Sequence, residues 1–132
     1  MKEKLTSFTP RCYALIASAN DRILVTVERW RGVDLNKLPG GGLELGEGME
    51  ECLDREMKEE FISYTPTTWS LHYTPTHCFS SVFKPKEQLI LLYFTANERV
   101  EEDHFELRTD ENLLRIEWLE LKEENAAWFT MQ

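Results

Sequence analysis

Glu56, Glu59 and Glu60 stand at the spacing i, i+3, i+4, which gathers three carboxylates on one face of a helix. Counted from Met49 at about 100° per residue, Glu59, Glu56 and Glu60 fall at about 280°, 340° and 20°. On the same wheel Met49, Leu53, Met57 and Phe61 run from about 0° to 120°, with Cys52 at about 300°. The glutamates therefore lie within or beside the apolar half. Ionised carboxylates crowded against a core are costly unless a cation or hydrogen-bond donors sit among them. Hard divalent cations such as Mg²⁺ take oxygen ligands of this kind. The competing reading is a rotated helix whose glutamates reach solvent or pair with Lys and Arg. Glu50, Glu51, Asp54 and Lys58 cover the opposite half as solvated charges, and Arg55 shares that outward face.

The six glycines are Gly32, Gly40, Gly41, Gly42, Gly46 and Gly48. All precede the helix within one short stretch, where unusual dihedrals or close backbone approach are needed. A glycine-rich loop feeding a carboxylate-bearing helix brings backbone near a metal and leaves room for a phosphate chain.

Other elements must hold this unit. Cys12–Ser18 and Arg22–Glu28 read as strands joined by a tight hairpin at Asn20-Asp21. A polar loop follows Trp30 and leads to Lys37-Leu38-Pro39 and the glycines. The helix is expected from Gly48 to about Phe61. Thr67–Tyr73 and Cys78–Phe83 are strand candidates separated by Pro75, and Gln88–Ala96 is apolar enough for a central strand. Asn97–Glu111 reads as acidic loop, Leu113–Leu119 as a strand and Glu120–Phe129 as a closing helix. This order predicts one domain over residues 1–132, an α/β (α+β) sandwich with a mixed sheet.

Leu38-Pro39-Gly40-Gly41-Gly42-Leu43-Glu44-Leu45-Gly46-Glu47, followed by Arg55-Glu56-Met57-Lys58-Glu59-Glu60, resembles the Nudix box. Gly41, Glu47, Arg55, Glu56, Met57, Glu59 and Glu60 match that pattern in register. The closing part departs from it: Ile62 stands where the box has glycine and Ser63 where it has an apolar residue, unless one residue is deleted after Phe61. That glycine normally ends the helix.

The resemblance implies an α/β/α sandwich and Mg²⁺- or Mn²⁺-dependent hydrolysis of a diphosphate linked to another group, usually a nucleoside diphosphate derivative. By position, Glu56, Glu59 and Glu60 would bind metal with help from the Gly40 carbonyl. Glu56 or Glu59 could instead deprotonate water, and Arg55 would bridge to Glu47 and hold the loop to the helix. A further carboxylate ahead of a late Trp-bearing strand would fall on Glu111 or Asp110. The alternative is a nucleotide-binding or sensing module of the same fold without turnover. Nucleotide-sugar, ADP-ribose, dinucleoside polyphosphate and nucleoside triphosphate remain open as substrates.

Composition bounds the rest. The chain has 132 residues and a net charge of −9, a poor balance for gripping a nucleic-acid backbone or an anionic membrane. A small nucleotide-type molecule bound through metal is the expected partner, and a homodimer is left open. No apolar run approaches the ~20 residues of a membrane span, and the apolar stretch after Arg11 is too short for a signal peptide. Cys12, Cys52 and Cys78 have no zinc-type spacing and read as mostly buried thiols of a cytoplasmic protein. His72, His77 and His104 lack ligand spacing. Trp30, Tyr73, Phe79 and Phe83 read as core or wall packing, with base stacking as the alternative.

Overall fold

The computed structural model describes residues 4–81, 84–108 and 113–120. β1 (Ser7–Leu15), β4 (Gly40–Gly42), β5 (Trp69–Tyr73), β6 (Phe79–Ser80) and β7 (Glu87–Ala96) form a mixed sheet. Its order is β4-β1-β7-β5, with β6 also paired to β7. β1 and β7 are parallel, and the other pairings are antiparallel. β2 (Arg22–Trp30), β3 (Val33–Lys37) and β8 (Leu113–Glu120) form a second, antiparallel sheet in the order β3-β2-β8. α1 spans Met49–Glu60.

β7 is central because both of its faces find apolar partners. Leu92 and Phe94 join Cys12, Ala14, Leu24 and α1's Cys52, Leu53 and Met57 in the main core, while Leu89 and Leu91 pack with Tyr13 on the other side. Burial of Leu53, Met57 and Phe61 presses α1 onto the sheets. Truncating any of them to Ala should cost about 2–5 kcal/mol.

The mixed sheet, the helix after the glycines and the late strand agree with the sequence expectation. Several boundaries differ. β1 begins at Ser7, earlier than expected, because Thr6 N–H and the Ser7–Leu15 backbone zip onto the β7 region. Asn20-Asp21 does make a tight turn, with Asp21 at φ 60°. It is not a simple hairpin, however: a lone Ala17–Ile23 bridge carries the chain from one sheet to the other.

The expected loop after Trp30 is strand β3. Arg31 and Gly32 both take positive φ, 49° and 76°, as a two-residue hairpin loop requires, and Trp30 pairs with Val33 across it. The Cys78–Phe83 strand shrinks to Phe79–Ser80, while Val82 and Phe83 lie outside the described residues. So does the expected closing helix, apart from Glu120, which ends β8. Met49, placed on the apolar face, is 43 % exposed. Cys78 is exposed, unlike Cys12 and Cys52. No helix among the described residues is long and apolar enough to cross a membrane.

Candidate active site

Gly40 and Gly41 set the floor of the site. β4 pairs antiparallel with β1 at Tyr13↔Gly40 and Cys12↔Gly41. Gly40 has φ +141°, and a Cβ there would stand 2.1 Å from the Cys12 carbonyl oxygen. No other residue fits both demands. At Gly41 the obstruction is chemical: a Cβ would lie 2.5 Å from Glu56 Oε1. The helix thus lays one of its carboxylates directly on the glycine strand.

α1 is aimed by its ends. At its start the Gly48 N–H donates to Glu51 Oε1 at 3.1 Å, the return arm of a capping box. On its flank Asp54 accepts from the Tyr64 hydroxyl and from Trp69 Nε1, the latter at 3.1 Å. At its finish the box glycine is missing, and the chain leaves without a left-handed residue: Phe61 is extended, φ −123° and ψ 143°. The freed carbonyls find a distant partner. Arg108 donates from its backbone N–H to the Glu60 oxygen at 2.9 Å and from Nε to the Lys58 oxygen at 2.6 Å. A Phe61–Leu107 bridge accompanies them.

Arg55 is not a solvated outward charge. Its Nε donates to Glu47 Oε2 at 2.7 Å and Nη2 to Glu47 Oε1 at 3.0 Å, a bidentate pair. Nη2 also reaches the Gly42 carbonyl at 2.9 Å. Nη1 donates to Glu56 Oε1 at 3.0 Å and Glu59 Oε1 at 3.3 Å. The glycine loop, its last acid and the helix are therefore tied through one guanidinium. Hydrogen bonds from Arg55 hold the Glu47 carboxyl down at about 2, and Glu47 in turn raises Arg55.

Glu60 is 7 % exposed, and its Oε2 has no hydrogen-bond partner. Burial pushes its carboxyl up to about 8, against the pull of Lys37 and a hydrogen bond from the Gly40 backbone. Burial, then the charge of Glu59, raises Glu56 as well. Glu59 is the outlier, with its side chain 57 % exposed at the rim. As they stand, no three His, Cys, Asp or Glu side chains among the described residues group closely enough to hold a metal ion. Glu56 and Glu59 are both held by Arg55 Nη1. The donor set nevertheless suits a hard divalent cation: a buried carboxylate oxygen without a partner, a second carboxylate on a glycine strand, and only oxygen donors.

The structure thus brings Glu47, Arg55, Glu56, Glu60 and Gly40 together and leaves Glu59 at the edge. Asp110 and Glu111 lie outside the described residues. Two cationic neighbours escaped the sequence reading. Lys37 pairs with Glu28 at 2.7 Å and acts on both Glu56 and Glu60. Arg11 lies against Gly42, whose Cβ would stand 3.8 Å from its Nη1. No motif marks these residues. The only available signal was cations on strands flanking a glycine cluster.

Solved structures with a similar fold include the MutT protein from Methanosarcina mazei Go1, 19 % identical. It has a TM-score of 0.69, over 92 % of this chain and 81 % of that one. The E. coli ORF135 protein is 19 % identical with a TM-score of 0.67, over 94 % and 80 %. A bifunctional NMN adenylyltransferase/ADP ribose pyrophosphatase from Francisella tularensis, complexed with AMP and a Mn ion, is 20 % identical. Its TM-score is 0.61, over 96 % of this chain and 37 % of that one. No curated protein matches by sequence. The NUDIX domain model matches residues 8–131, nearly the whole chain, and with the glycine strand, the Arg55–Glu47 tie and the inward carboxylates in their box positions the chain belongs to the Nudix family.

Proposed function

We propose that the protein hydrolyses a diphosphate linkage in a nucleoside diphosphate derivative, with water attacking phosphorus, and that Mg²⁺ or Mn²⁺ is required. The observation that carries this reading is Glu60 on α1, a buried carboxylate with an orphaned oxygen, beside Glu56, which lies against Gly41 of the glycine strand. Such an arrangement costs stability and has no packing benefit. AMP and Mn in the Francisella tularensis protein of similar fold lend support.

Glu56, Glu59 and Glu60, with the Gly40 carbonyl, are the proposed metal ligands. Bound there, a divalent cation would offset the substrate's phosphate charge and acidify water. Glu56 or Glu59 takes the proton as the water oxygen bonds to phosphorus, and the bridging oxygen leaves with its electron pair. Arg55 and Glu47 position rather than react: their pair fixes Gly42 and the loop against α1. Exposed Glu59 is the ligand with most freedom to turn inward, at the cost of its 3.3 Å contact to Arg55.

The test is product release from nucleotide-sugars, ADP-ribose, dinucleoside polyphosphates and nucleoside triphosphates, with Mg²⁺, Mn²⁺ or EDTA. Metal-dependent turnover of at least one class is expected. Metal-dependent binding without turnover of any would replace this reading with a sensing module.

A further inference from the structure

A strand at the end of a sheet leaves backbone N–H and C=O groups unpaired, and folded chains guard such edges with charge, shortness or cover. Among the described strands all the outer ones but β5 have such a guard. β4 is covered: the Cys52 thiol and Arg55 Nη2 donate to the Gly42 carbonyl at 3.6 and 2.9 Å. In the second sheet β3 carries Asp34 and Lys37, and β8 carries Arg115, Glu117 and Glu120. β6 is only two residues long. β5, Trp-Ser-Leu-His-Tyr, has no Asp, Glu, Lys or Arg and closes the order of the mixed sheet beyond β7.

The backbone of β5 presents its free groups at Leu71. Asn97 N–H donates to the Thr68 carbonyl, and bonded residues alternate along an antiparallel ladder. Ser70 therefore faces β7, and Leu71 turns its N–H and C=O to the open edge. At the start of the strand the Trp69 N–H already has Glu50 Oε1 at 3.3 Å. The register shift after Leu71 pairs Leu71 with Phe94 and Tyr73 with Tyr93, so the two side chains stand on opposite faces of the sheet. Leu71 is 56 % and Tyr73 57 % exposed. An uncharged edge with a large apolar side chain in water on each face is a template for another strand.

We infer that β5 is the contact through which two copies of this chain associate, antiparallel about a two-fold axis at Leu71, joining their mixed sheets into one. Charge selects a second copy as the occupant. A two-fold contact brings every residue near its own duplicate, and two chains of charge −9 repel wherever acids meet. β5 is the described outer strand of more than three residues that can face itself without opposing like charges. Centred on Leu71, the pair exchanges two backbone hydrogen bonds and sets the two Leu71 side chains together, while Tyr73 borders the join on the other face. One short strand is a small contact, so the dimer forms and dissociates with concentration. It is independent of the proposed hydrolysis, and its failure leaves that reading as it stands.

Sedimentation of the full chain from about 5 µM to about 500 µM, the span in which a weak contact fills, should show the mean mass rising from monomer toward dimer. Leu71→Lys sets two ammonium groups against each other at the axis and should raise the dissociation constant at least about tenfold. Val33→Lys, an equally exposed position on β3, should leave it within about twofold. Both sites are exposed, and thermal unfolding of each variant checks that the fold is kept. Facing Cα atoms in a bonded antiparallel pair stand about 5.5 Å apart, within disulfide reach. Leu71→Cys in a Cys78→Ser background should therefore cross-link into covalent dimers with diamide, whereas Val33→Cys in that background should not; Cys12 and Cys52 are buried.

A chain that stays monomeric across the whole range would overturn the contact. So would a dimer that Leu71→Lys leaves intact, or one that Val33→Lys weakens as much, since the copies would then meet elsewhere. If Leu71→Lys unfolds the chain, the cross-link decides: equal yields from Leu71→Cys and Val33→Cys refute the two-fold pairing, and a yield confined to Leu71→Cys supports it.

Discussion

Glu60 is held folded at a cost that pH can reveal. Its carboxyl is raised from 4.5 to about 8 by burial, so between these values the folded chain binds more protons than the unfolded one. The metal-free protein should therefore be most stable below about pH 4.5 with respect to this group and lose that stability as pH climbs toward 8. Glu60→Gln should match wild type in EDTA at pH 5 and exceed it at pH 8 by about 2–4 kcal/mol, the scale set by ~1.4 kcal/mol per unit. Urea unfolding at the two pH values measures this, and parallel profiles would show that Glu60 bears no such strain. The Arg55–Glu47 pair makes a second residue-scale case. Arg55→Ala and Glu47→Gln should each lower turnover by about tenfold or more, and the double variant should be little worse than either. Additive losses in kcat would mean that the two act separately.

Among the elements, α1 was the most legible in sequence. Its apolar period, its glutamates and the box spacing all reported the same helix, and the structure puts Met49–Glu60 there. β3 was hidden because Asp34 and Asn36 are weak strand formers. What makes it a strand is the Arg31-Gly32 turn and pairing with β2. β4 is three glycines, for which propensity says nothing; β1 supplies its hydrogen bonds. Helical spacing placed Glu56 and Glu60 on the inward face but could not show that Glu59 stands 57 % exposed at the rim, and Lys37 and Arg11 come from strands whose neighbours only the sheet pairing decides. The end of α1 gives a prediction at this scale. Arg108→Ala removes the donor to the Lys58 carbonyl and should cost about 1 kcal/mol. Ile62→Gly would not replace it, since Phe61 is already extended. Chemical denaturation of both variants checks this, and an unchanged Arg108→Ala midpoint would refute it.

For the molecule as a whole, the join between its two sheets is a polar knot at the β1–β2 corner. Glu102 accepts from the Ser18 hydroxyl at 2.7 Å, from Asn20 at 3.3 Å and from Arg22 Nε at 2.9 Å. Burial works to raise the Glu102 carboxyl, but the bonds from Ser18, Arg22 and Asn20 outweigh it and the net shift is downward. Stability from this knot is therefore present above the ordinary carboxyl range and is lost as pH falls through and below it. Glu102→Gln should lower the thermal midpoint at pH 7 and flatten its fall toward pH 3. A variant whose midpoint falls in parallel with wild type would place acid sensitivity elsewhere.

The missing box glycine also bears on how the chain folds in time. A glycine stop is complete within its own segment, but the stop used here closes over 50 residues, from Lys58 to Arg108. Bringing those ends together costs loop entropy before any bond rewards it. The last turn of α1, which carries Glu59 and Glu60, should therefore form after the folding transition state, as non-local contacts often do. In stopped-flow kinetics Arg108→Ala should speed unfolding and leave refolding nearly unchanged. That end of the helix would then be the last part of it to assemble and the first to come undone.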